Sequence, residues 1–242
     1  MIKRMNKMIP NNKPLKLNSK YILLLTMIYV TVSVAADVVA FKFAYFFGYV
    51  ESGATLLFPI TYLIGDVVCE DYGWDVAMKM AWNVLACEGL FALLITIVIH
   101  TGSMNIGQHQ NEYTHVLGNM WLFVCGGIIS NAVAGLLNIF FISKWKILAK
   151  GNIFWVRSII STCISEFLLI LITVLIAFVP FIQFKASMHV FINAYVLEII
   201  YACLFVYPAQ KFVGFLKRSE GIDVYDYGIS YNPFRFFDKG EK

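Results

Sequence analysis

Six apolar runs, each long enough to cross a lipid bilayer as a helix, constrain this chain more than any other feature of its sequence. A membrane-crossing helix needs about 20 mostly apolar residues. Only 14% of the residues are charged, against about 25% in soluble proteins. The sequence therefore predicts an all-α, polytopic membrane protein built as one bundle of six transmembrane helices. The predicted spans are Tyr21–Phe41, Gly53–Tyr72, Ala77–Ile99, Val116–Ile142, Ser158–Phe181 and Met188–Val213.

The positions of lysine and arginine predict how the bundle is oriented. These residues collect on the cytoplasmic side of membrane proteins. If the N-terminus is cytoplasmic, 17 of the 19 lysines and arginines lie in cytoplasmic segments, and only Lys42 and Lys185 lie outside them. We therefore expect both termini in the cytoplasm. The predicted parts are a basic leader at residues 1–20, one transmembrane domain at 21–213 and a cytoplasmic tail at 214–242. The tail could pack on the cytoplasmic mouth or bind a partner, and we expect packing.

Carboxyl groups lie within the predicted spans, although a charged carboxylate near the membrane centre costs a few kcal/mol. Such groups usually face the interior of a bundle or a watered cavity. A site rich in carboxylates suits a cation, a proton or a ligand with several N–H donors. The ionisable residues at membrane depth or at its edge are Asp37, Lys42, Asp66, Glu70, Glu88, Glu166 and Glu198.

Helical spacing places Asp66 and Glu70 one turn apart on the face of the second span that also carries Tyr62. Two like charges that close do not both ionise comfortably, so one of them is expected to hold a proton or to meet a cation. An alternative is a helix-end pair exposed to the cytoplasmic headgroups. On the fifth span, Glu166 has no local base, which leaves a ligand, a proton, or Lys42 or Arg157 from elsewhere as its partner.

Small and amide residues form a narrow stripe along the fourth span, at spacings of three and four. Close helix packing with interhelical hydrogen bonds accounts for such a stripe, and so does a face that lines a ligand site. Both interpretations can hold together. On the third span, Glu88 follows Trp82 and Asn83 by one to two turns, and either a polar clamp or a substrate contact fits that pattern. The stripe consists of Gly127, Asn131, Ala134, Gly135 and Asn138.

Several segments resemble one known family. The stretch "FPITYLIGDVVCEDYG", Phe58–Gly73, resembles the F-P-[LI]-T-Y-L-x-x-D-[VI]-x-x-E-x-Y-G segment of the queuosine precursor transporters, bacterial proteins also called vitamin uptake transporters. The stretch "LKRSEGIDVYDYGISYNPF" resembles their L-K-x-x-E-x-x-D-x-Y-D…N-P-F tail, and "RSIIST" and "ADVVAFK" also agree. The chain departs from the family at Leu169, where many members have Asp, and at Asp37, where Asn is frequent.

The resemblance implies import of a 7-deazaguanine across the bacterial cytoplasmic membrane for tRNA modification. The substrate would be 7-cyano- or 7-aminomethyl-7-deazaguanine, or queuine. We expect three carboxyls to converge on it, two amides to orient it, and an aromatic ring to stack on its face. The expected carboxyls are Asp66, Glu70 and Glu166, the amides are Asn83 and Asn131, the rings are Trp82 and Tyr62, and Asp37, Lys42 and Glu88 complete the set.

Other functions fit the sequence less well. A carrier of another small heterocycle or vitamin, or the substrate-capturing subunit of an energy-coupling complex, stays within transport. An intramembrane enzyme is a remote alternative, because no span carries a G-x-S-x nucleophile with a histidine on a neighbouring span. We expect no enzyme, no cofactor and no metal site. The expected partners are the 7-deazaguanine and the lipid bilayer, with protons and a second copy of the chain as further candidates and no nucleic acid.

Overall fold

The computed structural model describes residues 19–40, 42–46, 49–101, 110–118, 120–179 and 183–234. Within them, six helices are long and apolar enough to cross a membrane, which confirms the predicted all-α class and six-helix bundle. The predicted leader lies outside the described residues except for its last two. The helices are α1 (Ile22–Val39), α2 (Phe58–Tyr72), α3 (Trp74–His100), the short α4 (Gln110–Gly118), α5 (Met120–Leu148), α6 (Phe154–Thr173) and α7 (Phe184–Glu220).

Three smaller elements complete the described chain. Strands β1 (Phe43–Phe46) and β2 (Tyr49–Ser52) pair as an antiparallel hairpin between α1 and α2. A 3-10 helix, Gly53–Leu56, then leads into α2, and a π-helical turn, Val174–Phe178, follows α6. The sequence did not predict the hairpin.

The hairpin is fixed to the end of α1 by its last residue. The Ser52 hydroxyl donates to the carbonyl oxygen of Ala40 at 2.7 Å and accepts from the amide of Ala54 at 3.2 Å. The next position needs a glycine, because a Cβ on Gly53 would lie 2.8 Å from the carbonyl oxygen of Val39. The connection between the first two spans is therefore a built element that packs tightly on α1.

Helix α2 lies at the centre of the bundle. The other five membrane-crossing helices all contact it. Of its apolar window, 61% is buried inside the protein, against 17% to 39% for the other spans. Neighbouring helices thus shield its carboxyl groups from lipid. The outer helices instead expose apolar side chains, such as Leu93 and Val98 on α3, as expected of a surface in contact with acyl chains.

Two helices run further than hydropathy predicts, at the end of the bundle predicted to be cytoplasmic. Helix α5 continues to Leu148 instead of ending near Ile142, and α7 continues to Glu220, past the predicted boundary at Val213. Lysines lower the hydropathy of both ends, although lysine is a good helix former. As a result Lys146, expected in a loop, lies on α5 and is 1% exposed.

The chain after α7 folds back onto the same end of the bundle. The Asp226 carboxylate accepts a hydrogen bond from the backbone amide of Trp74 at 3.0 Å and one from the Ser143 hydroxyl at 2.5 Å. The ring of Tyr231 packs edge-on against Trp74, with the ring centroids 5.0 Å apart. The predicted packing of the tail on the bundle is confirmed, and its location in the cytoplasm stays a prediction.

Candidate functional site

A cavity, here called the central cavity, opens between α1, α2, α3 and α5. The space between its lining atoms, including the part open to solvent, is about 470 Å³. Apolar and aromatic side chains form most of its wall, together with one carboxylate and two amides. The lining residues are Tyr29, Tyr62, Gly65, Met80, Ala81, Val84, Leu85, Glu88, Asn131, Gly135, Asn138 and Ile139.

Glu88 supplies the carboxylate of the central cavity, and Asp37 of α1 lies beside it. Glu88 is 2% exposed and Asp37 is 7% exposed. The Ser33 hydroxyl and the Asp37 carboxyl both interact with the Glu88 carboxyl. Within the described part of the chain, neither carboxyl forms an ion pair. This corner of the cavity can therefore accept N–H donors or a positively charged group.

The amide of Asn138 is oriented by a chain of short hydrogen bonds. Its Nδ2 donates to Oδ1 of Asp66 at 2.5 Å, and its Oδ1 accepts from the Ser161 hydroxyl at 2.7 Å. The Ser158 hydroxyl donates to the other oxygen of Asp66, also at 2.5 Å. An amide nitrogen carries two hydrogens, so one N–H of Asn138 is left for the cavity. The polar stripe of α5 thus serves both helix packing and cavity lining.

A second opening, the side cavity, lies between α2, α6 and α7. Its empty volume is about 280 Å³. Tyr62 lines both cavities, and its hydroxyl has no hydrogen-bond partner among the residues described. The residues that line the side cavity are Pro59, Tyr62, Leu63, Asp66, Ser158, Thr162, Tyr201, Ala202 and Phe205.

Glu70 occupies the centre of a buried cluster of charges. Its carboxylate lies 3.0 Å from Nη1 of Arg157, 3.0 Å from Nζ of Lys217 and 3.9 Å from Nζ of Lys146. Lys146 also donates to the main-chain carbonyl of Glu70. The expectation that one member of the Asp66–Glu70 pair meets a cation is confirmed. The alternative of a pair exposed to headgroups is wrong, because both residues are at most 1% exposed.

The same cluster holds the tail against the bundle. The Asp223 carboxylate accepts from Nζ of Lys146 at 2.6 Å and lies 3.0 Å from Nζ of Lys217. The ammonium group of Lys146 also lies 4.5 Å from the centre of the Tyr225 ring, a cation–π distance. Two lysines thus bridge a carboxylate of the core and a carboxylate of the tail.

Asp223 is expected to make tail docking sensitive to acid. Burial raises its pKa, but hydrogen bonds and charges from Lys146 and Lys217 outweigh burial and hold the pKa below its usual value. A lowered folded-state pKa contributes stability above the unfolded value of about 3.9, and this stability is lost as the pH falls through the folded pKa. The amide of Val224, which donates to the Asp71 carbonyl at 3.1 Å, should therefore lose protection in acid.

Hydrogen exchange measured by mass spectrometry, corrected for intrinsic exchange rates, tests this expectation. Asp223→Asn should reduce the protection of residues 221–234 at neutral pH and flatten its dependence on acid. Lys150→Ala, at an exposed position on the same end of the bundle, is the control and should leave protection unchanged. Equal protection in the native protein and in Asp223→Asn would show that the lysine contacts do not hold the tail.

Glu166 lies away from every cation with which the sequence could pair it. Arg157 binds Glu70, and the side chain of Lys42 is exposed beside the hairpin. The suggested partnership of Glu166 with either base is therefore wrong. The Glu166 carboxyl instead meets that of Glu198 on α7.

Two further residues of the expected set point away from the central cavity. The Asn83 side chain is exposed on α3. Trp82 faces the tail: its indole nitrogen donates to the carbonyl of Pro233 at 2.8 Å, and its ring packs on Phe234 with centroids 5.6 Å apart. Of the expected residues, Tyr62, Glu88 and Asn131 line the central cavity, Asp37 interacts electrostatically with Glu88, and Asp66 holds Asn138. Glu70, Glu166, Asn83, Trp82 and Lys42 do not line it.

The expected set omitted several residues of these sites, among them Tyr29, Lys146 and Asn138, although Asn138 belongs to the stripe on the fourth span. A signal existed for two of them. Asn138 lies seven residues after Asn131, which is two turns along the same face of a helix. Lys146 continues the buried face of Ile139 and Ile142 at spacings of three and four. Tyr29 lies in an evenly apolar run that gives no reason to single it out.

Comparison with known proteins agrees with a transport role. The family described as "Putative vitamin uptake transporter" matches residues 52–211, a segment that includes β2 in part and α2 to α6 in full. No curated protein and no solved structure matches the chain. A transporter family fits the expectation that the chain is not an enzyme. With six helices able to span a bilayer, the chain is a multi-pass membrane protein that belongs to the vitamin uptake transporter family.

Proposed function

We propose that this protein imports a queuosine precursor, 7-cyano- or 7-aminomethyl-7-deazaguanine or queuine, across the bacterial cytoplasmic membrane for tRNA modification. In this proposal both termini face the cytoplasm, as the positions of lysine and arginine predict. Family membership supports the uptake of a small molecule, and the segments Phe58–Gly73 and residues 216–234 resemble those of queuosine precursor transporters. The central cavity supports the choice of a flat heterocycle rich in N–H groups.

A guanine-like ring presents two N–H donors on one edge, and one carboxylate can accept both as a bidentate pair. Glu88 is the carboxylate that the central cavity offers. The ring carbonyl would accept from the amide of Asn131 or Asn138, and Tyr62 would stack on the ring. The observation that carries the proposal is a buried carboxylate, without a cation among the described residues, that shares one cavity with two amides and two tyrosines.

Asp66 acts on the site indirectly, through a residue that lines the central cavity. Both of its oxygens are occupied by Asn138 and Ser158, so its role in this proposal is to hold the Asn138 amide in one orientation. Glu70 has a structural role, because its charge is balanced by the buried cluster. Glu88 is therefore the carboxylate that would bind the ligand, and Asp37 interacts electrostatically with Glu88.

Uptake in cells tests the proposal directly. The protein is expressed in bacteria that lack both queuosine synthesis and their own precursor uptake, and each of the three compounds is supplied separately at low concentration. Queuosine in tRNA is detected by slower migration in a boronate gel, in a host able to convert each compound. We expect a shift with at least one compound. No shift with any, despite folded protein in the membrane and a working positive control, would reject the proposal and favour another heterocycle or vitamin.

The two asparagines of the expected set are predicted to behave differently. Asn131→Leu should strongly reduce uptake, because it removes an amide from the central cavity and fills part of the space. Asn83→Leu is the matched control and should leave uptake unchanged, because that side chain is exposed on the outer side of α3. Initial uptake rates of a labelled precursor, normalised to protein in the membrane, measure both. Equal losses in the two variants would contradict the assignment of the cavity.

A further inference from the structure

Two buried carboxyl groups meet between α6 and α7. Glu166 is 1% exposed and Glu198 is 3% exposed, and the two carboxyls are close enough to interact with each other. Both oxygens of Glu166 and Oε2 of Glu198 lack a hydrogen-bond donor among the described residues. Neither residue lines the central or the side cavity, so this pair is distinct from the site that the proposed function uses.

No base balances the pair within the described part of the chain. The lysines and the arginine buried in the bundle bind Glu70 and Asp223 instead. The titratable groups around the pair are acids, phenols and a thiol. They are Tyr29 of α1, Glu51 of β2, Tyr62 of α2 with Asp66 beyond it, Cys163 of α6 and Tyr195 of α7.

Two buried carboxylates in contact cannot both stay ionised, because each raises the cost of the other's charge. The same burial makes a single unpaired charge expensive. Removing a carboxyl hydrogen leaves two like charges between α6 and α7, whereas keeping it allows one carboxyl to donate to the other. The contact between these helices therefore differs in energy between the two protonation states. Near the pair, the helices are also joined by the Tyr195 hydroxyl, which donates to the Cys163 carbonyl at 3.2 Å.

Tyr62 connects this pair to the central cavity. Its hydroxyl is buried, has no hydrogen-bond partner among the described residues and interacts electrostatically with both carboxyls. Its ring lines the central and the side cavity. A ligand that stacks on Tyr62 would therefore contact a side chain whose hydroxyl interacts electrostatically with the carboxyl pair.

We propose that Glu166 and Glu198 form a proton-binding site, and that one proton bound there moves inward with each substrate molecule. This inference rests on the proposed function for the identity of the substrate. The proton binds to the pair from one side of the membrane, joins the two carboxyls by a hydrogen bond and is released on the other side. Glu51, on strand β2, interacts electrostatically with Glu198, and burial raises the pKa of Glu51 to about 7. It can therefore exchange protons near neutral pH.

Transport by purified protein in lipid vesicles tests the coupling, with the three deazaguanines of the cell assay as separate probes. An inward proton gradient of one pH unit, with the membrane potential clamped to zero, should drive roughly tenfold accumulation at one proton per substrate. Glu198→Gln should abolish accumulation and keep exchange of internal for external compound, because exchange requires no net proton movement. Glu112→Gln, at an exposed acid on α4, should keep both activities.

A second measurement needs no substrate. Infrared difference spectra should show the band of a protonated, buried carboxyl in the native protein, and both Glu166→Gln and Glu198→Gln should shift or remove it, because each replaces the partner of the shared hydrogen. Absence of this band in the native protein overturns the proton site. Exchange without gradient-driven accumulation in the native protein overturns the coupling and leaves the proposed function intact. If no compound moves in either mode, the proposed function fails, and the infrared band alone decides for or against the proton site.

Discussion

Replacing Glu70 with leucine is expected to destabilise the protein by about 3–5 kcal/mol, because it leaves buried cations around a missing charge. Arg157 and Lys217 each lie 3.0 Å from the Glu70 carboxylate. Arg157 is only 3% exposed, so water cannot take the place of the lost partner. Lys146 keeps the Asp223 carboxylate as a partner at 2.6 Å. Arg157 is therefore the cation that the substitution destabilises most.

Denaturant titration in mixed micelles gives the free energy of unfolding for this comparison. Asp75→Asn is the control, because it removes an exposed carboxylate at the start of α3, five residues after Glu70. It should change the free energy of unfolding by no more than about 0.5 kcal/mol. Glu70→Leu combined with Arg157→Leu should cost less than the sum of the single changes, since residues in contact couple by about 0.5–3 kcal/mol. A loss below about 1 kcal/mol for Glu70→Leu, the value of an exposed ion pair, would contradict a buried cluster.

Hydropathy predicted the spans well because bilayer thickness sets how long an apolar helix must be. The third span was expected at Ala77–Ile99 and is found at Trp74–His100. The hairpin between α1 and α2 escaped prediction because its strands are four residues each. So short a segment is too brief for an alternating pattern to be distinguished from the end of an apolar run.

Spacing along one helix predicted which residues share a face, but it could not show which neighbours meet that face. Asp66 and Glu70 do lie one turn apart, yet Asp66 is held by two uncharged side chains and Glu70 by cations. Asn83 and Glu88 are five residues apart, or about 1.4 turns, and only Glu88 turns into the bundle. Which of two such residues faces the bundle interior depends on how the helices pack together. Spacing along one helix does not predict that packing.

The positive-inside rule and the structure give complementary accounts of the same residues. Lys146, Arg157 and Lys217 counted as cytoplasmic charges in the sequence, and the structure places all three around Glu70. A basic residue that indicates the orientation of the bundle can therefore also balance the charge of a buried carboxylate. Hydropathy did not predict that Lys146 is buried beside Glu70, because a lysine near the end of an apolar run is usually solvated.

Replacing Glu88 with glutamine is expected to weaken binding of the transported deazaguanine by about 2–3 kcal/mol, or roughly 30- to 150-fold. The substitution removes the only carboxylate among the described residues that line the central cavity. It also replaces an acceptor by an amino group, which opposes the N–H donors of the ligand. The fold should survive, because glutamine has nearly the size of glutamate and Glu88 forms no ion pair among the described residues.

Isothermal titration of the purified protein with each of the three deazaguanines measures this loss. If the amine of the aminomethyl compound lies near Asp37 and Glu88, its affinity should fall more than that of the neutral cyano compound, because a charge-assisted contact is stronger than a neutral one. Cys87→Ala changes an exposed neighbour on the same helix and should keep the native affinity. Native affinity in Glu88→Gln would place the ligand outside the central cavity. The side cavity, where Asp66 supplies the carboxylate and Tyr62 and Tyr201 the rings, would then be the site to test by the same titration with Asp66→Asn.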